Sequence, residues 1–207
     1  MLKAVREYLS FAGVQYRNPD KAGDEREKML ALRQKGQEAR RSFTELAKTF
    51  QASHPEWQLQ QTSQWMNQAQ RLRPHFWAYL QRDGQVTEPM MALRLCGTPA
   101  DYGISLEVSF IERKKDEQTL DKQAKVLEIP VLEGIYYLVY SNGESHKVEA
   151  TEENRHTLCE KVRSQEARKV LVKSDVSLIE NQSVEAISEK LEEAYIRLLP
   201  YYEGTRK

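Results

Sequence analysis

Glu112 and Lys114 are the residues whose types and spacing are best suited to chemistry. They stand two apart at the end of residues 104–114, where apolar and polar side chains alternate. This alternation predicts a strand with its apolar face in the core and its polar face, with Ser105, Glu107 and Ser109, toward water. Residues two apart on a strand project to the same face, so both side chains share the side of Phe110. A charge on an apolar face is costly unless it is paired, so this pair requires a partner or a ligand.

Glu88 is the partner that strand pairing would bring to this pair. If residues 89–96 and 104–111 form an antiparallel hairpin, Glu88 lies opposite Glu112 or Arg113. Two carboxylates and a lysine at one end of a sheet could hold Mg²⁺. The competing interpretation is a salt-bridge cluster. It is favoured because short Glu-x-Lys patterns often arise by chance in a sequence with so many charges.

The sequence Glu112-Arg113-Lys114 resembles the (D/E)-x-K half of the metal-dependent PD-(D/E)-x-K nucleases. The resemblance covers these three residues and the hairpin around them. It implies that the acidic groups bind a divalent cation and that the lysine helps to polarise the attacking water. Asp101 does not complete the motif, because a continuous strand would separate it from Glu112 by roughly 35 Å. A Mg²⁺-dependent nuclease that uses Glu88, Glu112 and Lys114 is therefore the alternative function.

His75 and Tyr137 are the candidates for ligand binding outside that cluster. His75 begins a strand-like segment and lies close to two arginines in the sequence. Tyr137 has the opposite strand parity to Tyr136 and Tyr140, so at least one ring faces each side of the sheet. Rings exposed on a sheet face are typical of base-stacking platforms and of partner surfaces.

Several catalytic patterns are missing from the sequence. It contains no G-x-S-x-G nucleophile elbow, no glycine-rich phosphate loop and no zinc-type histidine spacing. Lysine plus arginine and aspartate plus glutamate each number 31, and this neutrality counts against non-specific nucleic-acid binding as the main function. No cofactor is predicted, Mg²⁺ enters only with the nuclease alternative, and nothing in the sequence settles whether the protein is an enzyme.

The location expected from the sequence is cytoplasmic. The first residues carry charges where a signal peptide needs an apolar run, and no segment approaches the ~18 apolar residues that span a membrane. Neither of the two cysteines belongs to a C-x-x-C pattern, which favours buried free thiols.

The elements that must position these residues indicate an α+β fold. Residues 1–73 are predicted to be a helical region with a long amphipathic helix at about 24–52, and residues 57–72 are predicted to form a further helix. Residues 74–207 are predicted to form an α+β domain, continuous with the helical region, whose mostly antiparallel sheet has hairpins at 75–96/104–114 and 134–150. Packing helices complete it, and Pro200 is predicted to end the last one.

The long helix carries an apolar seam at alternating three- and four-residue steps: Met29, Leu32, Gly36, Ala39, Phe43, Leu46 and Phe50. The favoured interpretation is packing against this chain's own sheet or helices, and the alternative is a homodimer through this helix. The sequence as a whole predicts an interaction protein that binds a protein or small-molecule partner through its sheet face and helical region. Nucleic acid is a less favoured partner, and no membrane is expected.

Overall fold

Antiparallel pairing of the alternating segments produces a seven-stranded sheet. A computed structural model describes residues 2–82, 88–110, 117–178 and 182–206, and within these the predicted α+β fold is confirmed. Its elements, in chain order, are α1 (Leu2–Leu9), α2 (Arg26–Ala52), β1 (Gln58–Leu59), β2 (Trp77–Gln81), β3 (Met90–Gly97), β4 (Tyr102–Ser109), α3 (Glu117–Ala124), β5 (Tyr136–Ser141), β6 (Glu144–Glu149), α4 (Glu152–Arg163), β7 (Lys169–Ser177) and α5 (Val184–Arg206). The strand order is β1-β2-β3-β4-β7-β5-β6, and each neighbouring pair is antiparallel.

Both predicted hairpins form. The turn between β5 and β6 is Asn142-Gly143, whose φ angles of 51° and 82° are the positive values that a type I′ turn needs. Strands β3 and β4 pair from Met90 with Ser109 to Gly97 with Tyr102. Strand β7 inserts between the two hairpins, so that the chain forms one continuous sheet.

The helices cover one face of this sheet. Helix α5 contacts β4, β7 and α2, and α3 and α4 join it through the 3-10 turn Lys125–Glu128. Apolar side chains of the helices pack against those that the strands project to the same side of the sheet, and together they form a single buried cluster. No described helix is both long and apolar enough to cross a membrane.

The seam of α2 is buried inside this chain, as the favoured interpretation predicted. All seven of its residues are buried. A homodimer through α2 stays a prediction, and it would have to use the helix's charged outer face.

Three expectations about the elements were wrong. Residues 57–72 form no helix: Leu59 pairs with Leu80 of β2, and Met66 makes an isolated bridge to Leu72. Pro200 does not end α5, which continues to Arg206. The polar parity of β4 was expected to face water, but Ser105, Glu107 and Ser109 are all buried.

Candidate functional site

The second face of the sheet has no described helix packed on it. We call it the open face and define it by Trp77, Tyr79, Arg94, Glu107, Lys173 and Tyr136. The strand register aligns these residues in two neighbouring rows. One row places Trp77 beside Arg94, and the next runs from Tyr79 through Ala92, Glu107 and Lys173 to Tyr136.

A buried charge cluster lies at the centre of the open face. The Glu107 side chain is 0% exposed and accepts hydrogen bonds from Arg94 Nη2 at 2.8 Å and Nε at 3.2 Å. Lys173 Nζ lies 3.1 Å from the other carboxylate oxygen of Glu107. Burial raises the pKa of Glu107, but the charges of Arg94 and Lys173 together outweigh it and hold the pKa below its ordinary value. Glu107 is therefore an ionised structural centre, already occupied by two cations.

Two groups of aromatic rings flank this cluster. Trp77 and Tyr79 project from β2, and Tyr136 and Tyr140 project from β5; all four are partly exposed. Strands β3, β4 and β7 separate the groups, which corresponds to roughly 19 Å at the usual strand spacing. The two aromatic groups therefore lie on either side of the buried charge cluster, whose central carboxylate has no exposed surface.

Cations lie against these rings. The Arg73 guanidinium is 4.8 Å and that of Arg94 5.4 Å from the Trp77 ring centroid. Lys147 Nζ is 3.8 Å from the Tyr136 centroid. Such contacts contribute about 0.5–1 kcal/mol at exposed sites and fix the orientation of the ring. The rings are thus held in place before any ligand arrives.

The Tyr136 hydroxyl donates a hydrogen bond to Asp175 Oδ1 at 2.8 Å. Burial, and then the negative charge of Asp175, raise the pKa of Tyr136, so the hydroxyl stays protonated. Cys96 lies on the same face, where burial, followed by Asp175, raises the pKa of its thiol to about 11. A thiol with this pKa is a poor nucleophile at neutral pH.

His75 lies at the Trp77 end of the open face, with ring centroids 5.6 Å apart. Burial, followed by the nearby charges of Arg94 and Arg73, lowers its pKa to about 4. The imidazole is therefore neutral at pH 7 and keeps one nitrogen that can accept a hydrogen bond.

The predicted metal cluster is described only in part. The Glu88 carboxylate pairs with Lys122 Nζ at 3.0 Å. Glu112, Arg113 and Lys114 lie outside the described residues, and the last described pair of the β3–β4 ladder joins Met90 to Ser109. Within the described ranges, no group of three histidine, cysteine or acidic side chains could hold a metal ion.

Tyr137 lies on the opposite face from its neighbours, as its parity predicted. Its ring is fully buried in the core, and its hydroxyl has no hydrogen-bond partner among the described residues. The ring that ligands could reach on β5 is therefore that of Tyr136 or Tyr140.

Sequence reasoning missed the central cluster of Arg94, Glu107 and Lys173. Each of the three is a single charge within a strand, which by itself looks like an ordinary solvent-facing residue. Only the register, which places Glu107 opposite Lys173 and diagonal to Arg94, brings them together. The only signal in the sequence was the polar residue at every second position of β4. The strands that pair with β4 could not be identified from the sequence.

The described groups of the open face can contact a ligand, but its thiol and its Tyr136 phenol are not activated as nucleophiles. The carboxylate at its centre is neutralised, the thiol and the phenol are protonated, and the rings are fixed by cations. Neither a protein-family model nor a curated protein sequence matches this chain.

Proposed function

We propose that this protein is a binding protein that holds single-stranded nucleic acid on the open face of its sheet. The observation that carries the proposal is the pair of aromatic groups, each with cations against its rings, on a sheet face that no described helix covers.

Aromatic rings on a sheet supply affinity that depends little on sequence, because every base has a π-face. Stacking of one base on a side-chain ring contributes about 1–3 kcal/mol. Cations beside the rings are well placed to meet the phosphates that flank a stacked base. Trp77 with Arg73, and Tyr136 with Lys147, provide two such combinations.

The proposed ligand is single-stranded because a duplex hides its base faces in its own stack. A long duplex is also a poorer candidate because its binding requires many phosphate contacts. The proposal needs no metal, and Mg²⁺ belongs only to the nuclease alternative, which depends on Glu112 and Lys114. A cytoplasmic location, where RNA is abundant, is part of the same proposal.

Fluorescence anisotropy with labelled single-stranded RNA and DNA tests the proposal. We expect Trp77→Leu and Tyr136→Leu each to weaken binding by roughly 5- to 100-fold, because each removes one stacking surface. Tyr136→Phe is the matched control: it keeps the ring, loses only the hydroxyl, and is expected to retain most of the affinity. Ile196→Ala, at an exposed apolar side chain on α5, should change nothing.

The proposal fails if the wild-type protein binds neither the single-stranded RNA nor the single-stranded DNA. It also fails if both ring-removing variants bind as tightly as the wild type does. Circular dichroism of each variant shows whether the fold is retained. Cleavage of the bound RNA or DNA when Mg²⁺ is added would instead support the nuclease alternative.

A further inference from the structure

Helix α2 and residues 62–70 enclose a groove on the helical side of the molecule. It consists of two adjoining cavities, of about 470 Å³ and about 380 Å³. Both are lined by Gln37 and Trp65, so the cavities lie side by side. We call this the α2 groove and define it by Arg33, Gln37, Arg40, Arg41, Trp65 and Met66.

One wall of the α2 groove is closely packed. Gly36 has no side chain, so the Trp65 ring lies directly on the helix; a Cβ at this position would be 2.6 Å from the ring. The Tyr8 hydroxyl donates a hydrogen bond to the Trp65 carbonyl, and the Tyr16 ring meets Trp65 edge-on at 5.0 Å. These contacts fix the groove's shape without a ligand.

The charge of the α2 groove is wholly positive. Three arginines line it, and no carboxylate of the described residues does. Arg40 is held by the carbonyls of Ser63 and Thr62, at 2.9 and 2.8 Å. Arg33 and Arg41 are exposed, and neither makes an ion pair or hydrogen bond with any residue that the structure describes. Eight residues of helix separate them, a distance of about 12 Å along the axis.

The groove meets the open face at Arg73. The guanidinium of Arg73 lies 4.8 Å from the Trp77 ring on one side, and its Nε donates to the Met66 carbonyl at 3.2 Å on the other. Met66 lines the groove. One cation therefore connects the aromatic end of the open face to the arginine-lined groove.

We propose that a single strand held on the open face continues past Arg73 into the α2 groove, where Arg33 and Arg41 bind its backbone phosphates. This inference rests on the proposed function and names a second contact region for the same ligand. The groove would recognise phosphates and not bases, because its two aromatic side chains, Trp65 and Tyr16, are each only 7% exposed. Its cationic lining matches a polyanionic chain.

The length of the single-stranded nucleic acid distinguishes the two contact regions in a binding experiment. A strand of about 4 nucleotides is expected to occupy the open face alone, and one of about 12 to reach the groove. In the double variant Arg33→Gln/Arg41→Gln, we expect affinity for the longer strand to fall roughly tenfold at low salt, and the slope of log affinity against log salt to shrink by about 1.4. Affinity for the shorter strand should be unchanged.

The matched control is Lys28→Gln/Lys48→Gln, which removes two exposed cations from the same helix outside the groove. It should affect the longer strand much less than the arginine variant does. Equal losses in both variants would mean diffuse charge attraction and would overturn the inference. Thermal unfolding of both variants checks that the fold is retained.

Other results are equally decisive. If Trp77→Leu weakens binding and the arginine variant does not, the proposed function stands and this inference is wrong. If the wild-type protein binds neither strand, both are wrong. If polyglutamate of equal charge competes as well as the longer strand and loses affinity in the same arginine variant, the groove takes an acidic peptide and the phosphate assignment is overturned.

Discussion

At the scale of single residues, Glu107 shows what holds the open face in place. A carboxylate with no exposed surface is stable only when its charge is matched, and here two cations from two neighbouring strands match it. Arg94 and Lys173 in turn need Glu107, because Lys173 is itself 5% exposed. The cluster thus connects β3, β4 and β7 beneath the aromatic rings.

Substitution of Glu107 tests this interdependence. Glu107→Gln leaves two cations beside a neutral amide, and we expect the free energy of unfolding to fall by about 3–5 kcal/mol, as when one partner of a buried ion pair is removed. Urea denaturation followed by circular dichroism measures the loss. The triple variant Arg94→Met/Glu107→Leu/Lys173→Met, which removes every charge of the cluster, should recover much of the stability. An unchanged urea midpoint for Glu107→Gln would show that the cluster contributes nothing.

At the scale of elements, the sequence predicted those whose pattern is complete within one segment. The seam of α2 and the Asn142-Gly143 turn each depend on residues close together in the chain, and both are present. Residues 57–72 also have helical periodicity, but their backbone bonds to distant strands instead: Gln60 N donates to Tyr79 O at 2.7 Å, and Ser63 N to Trp77 O at 2.9 Å. A local pattern could not reveal that competition, because the competing partner lies far away in the sequence.

The same limit applied to the candidate site. The parity of Tyr136 and Tyr140 correctly predicted rings on one face, since parity is a local property. The charge cluster depends on which strands are neighbours, and β7 enters the sheet between two hairpins that precede it in the chain. Nothing in the sequence of β4 specifies that neighbour.

The contact between α2 and Trp65 gives a prediction at this scale. Gly36→Ala improves helix propensity by about 1 kcal/mol but drives a methyl group into the Trp65 ring, which costs about 1–3 kcal/mol. We expect a net loss of up to about 2 kcal/mol in the free energy of unfolding, measured by urea denaturation.

A Trp65→Leu background controls for that interpretation. Removing the ring removes the clash, so Gly36→Ala should then be neutral or stabilising, and the double-mutant cycle should give a clear coupling energy. Additive effects of the two substitutions would mean that Trp65 does not limit the size of residue 36.

At the scale of the whole molecule, a net charge of zero conceals an uneven distribution. Among the described residues, the α2 groove is lined by arginines and by no carboxylate, whereas the centre of the open face carries a carboxylate that two cations neutralise. Total charge therefore says little about which surface attracts an anion. The sequence predicted the neutrality and could not predict this separation, because the groove is formed by segments from two parts of the chain.

Acid sensitivity is the global property that the open face determines most directly. The pKa of His75 is about 4 in the folded chain against an ordinary 6.5, and Arg73, Arg94, Glu107 and Lys173 are the charged groups that act on it. Between these values the unfolded chain binds a proton that the folded chain does not, so stability falls as the pH drops from about 6.5 to 4. Glu107 acts in a lower range, because its contribution is complete above its ordinary pKa of 4.5 and is lost as the pH falls through its lowered folded pKa.

We therefore expect His75→Gln to flatten the upper part of this profile only. Urea midpoints measured between pH 7 and pH 4.5 should decline less in the variant than in the wild type, whereas both should lose stability at lower pH, where Glu107 and other carboxylates become protonated. His146→Gln, at an exposed position on β6, controls for the loss of a histidine as such. Parallel profiles for the wild type and His75→Gln would mean that His75 takes up its proton as readily in the folded chain as in the unfolded one. The open face would then be more hydrated around Trp77 than its burial indicates, and the affinity of that ring for a base would have to be correspondingly lower.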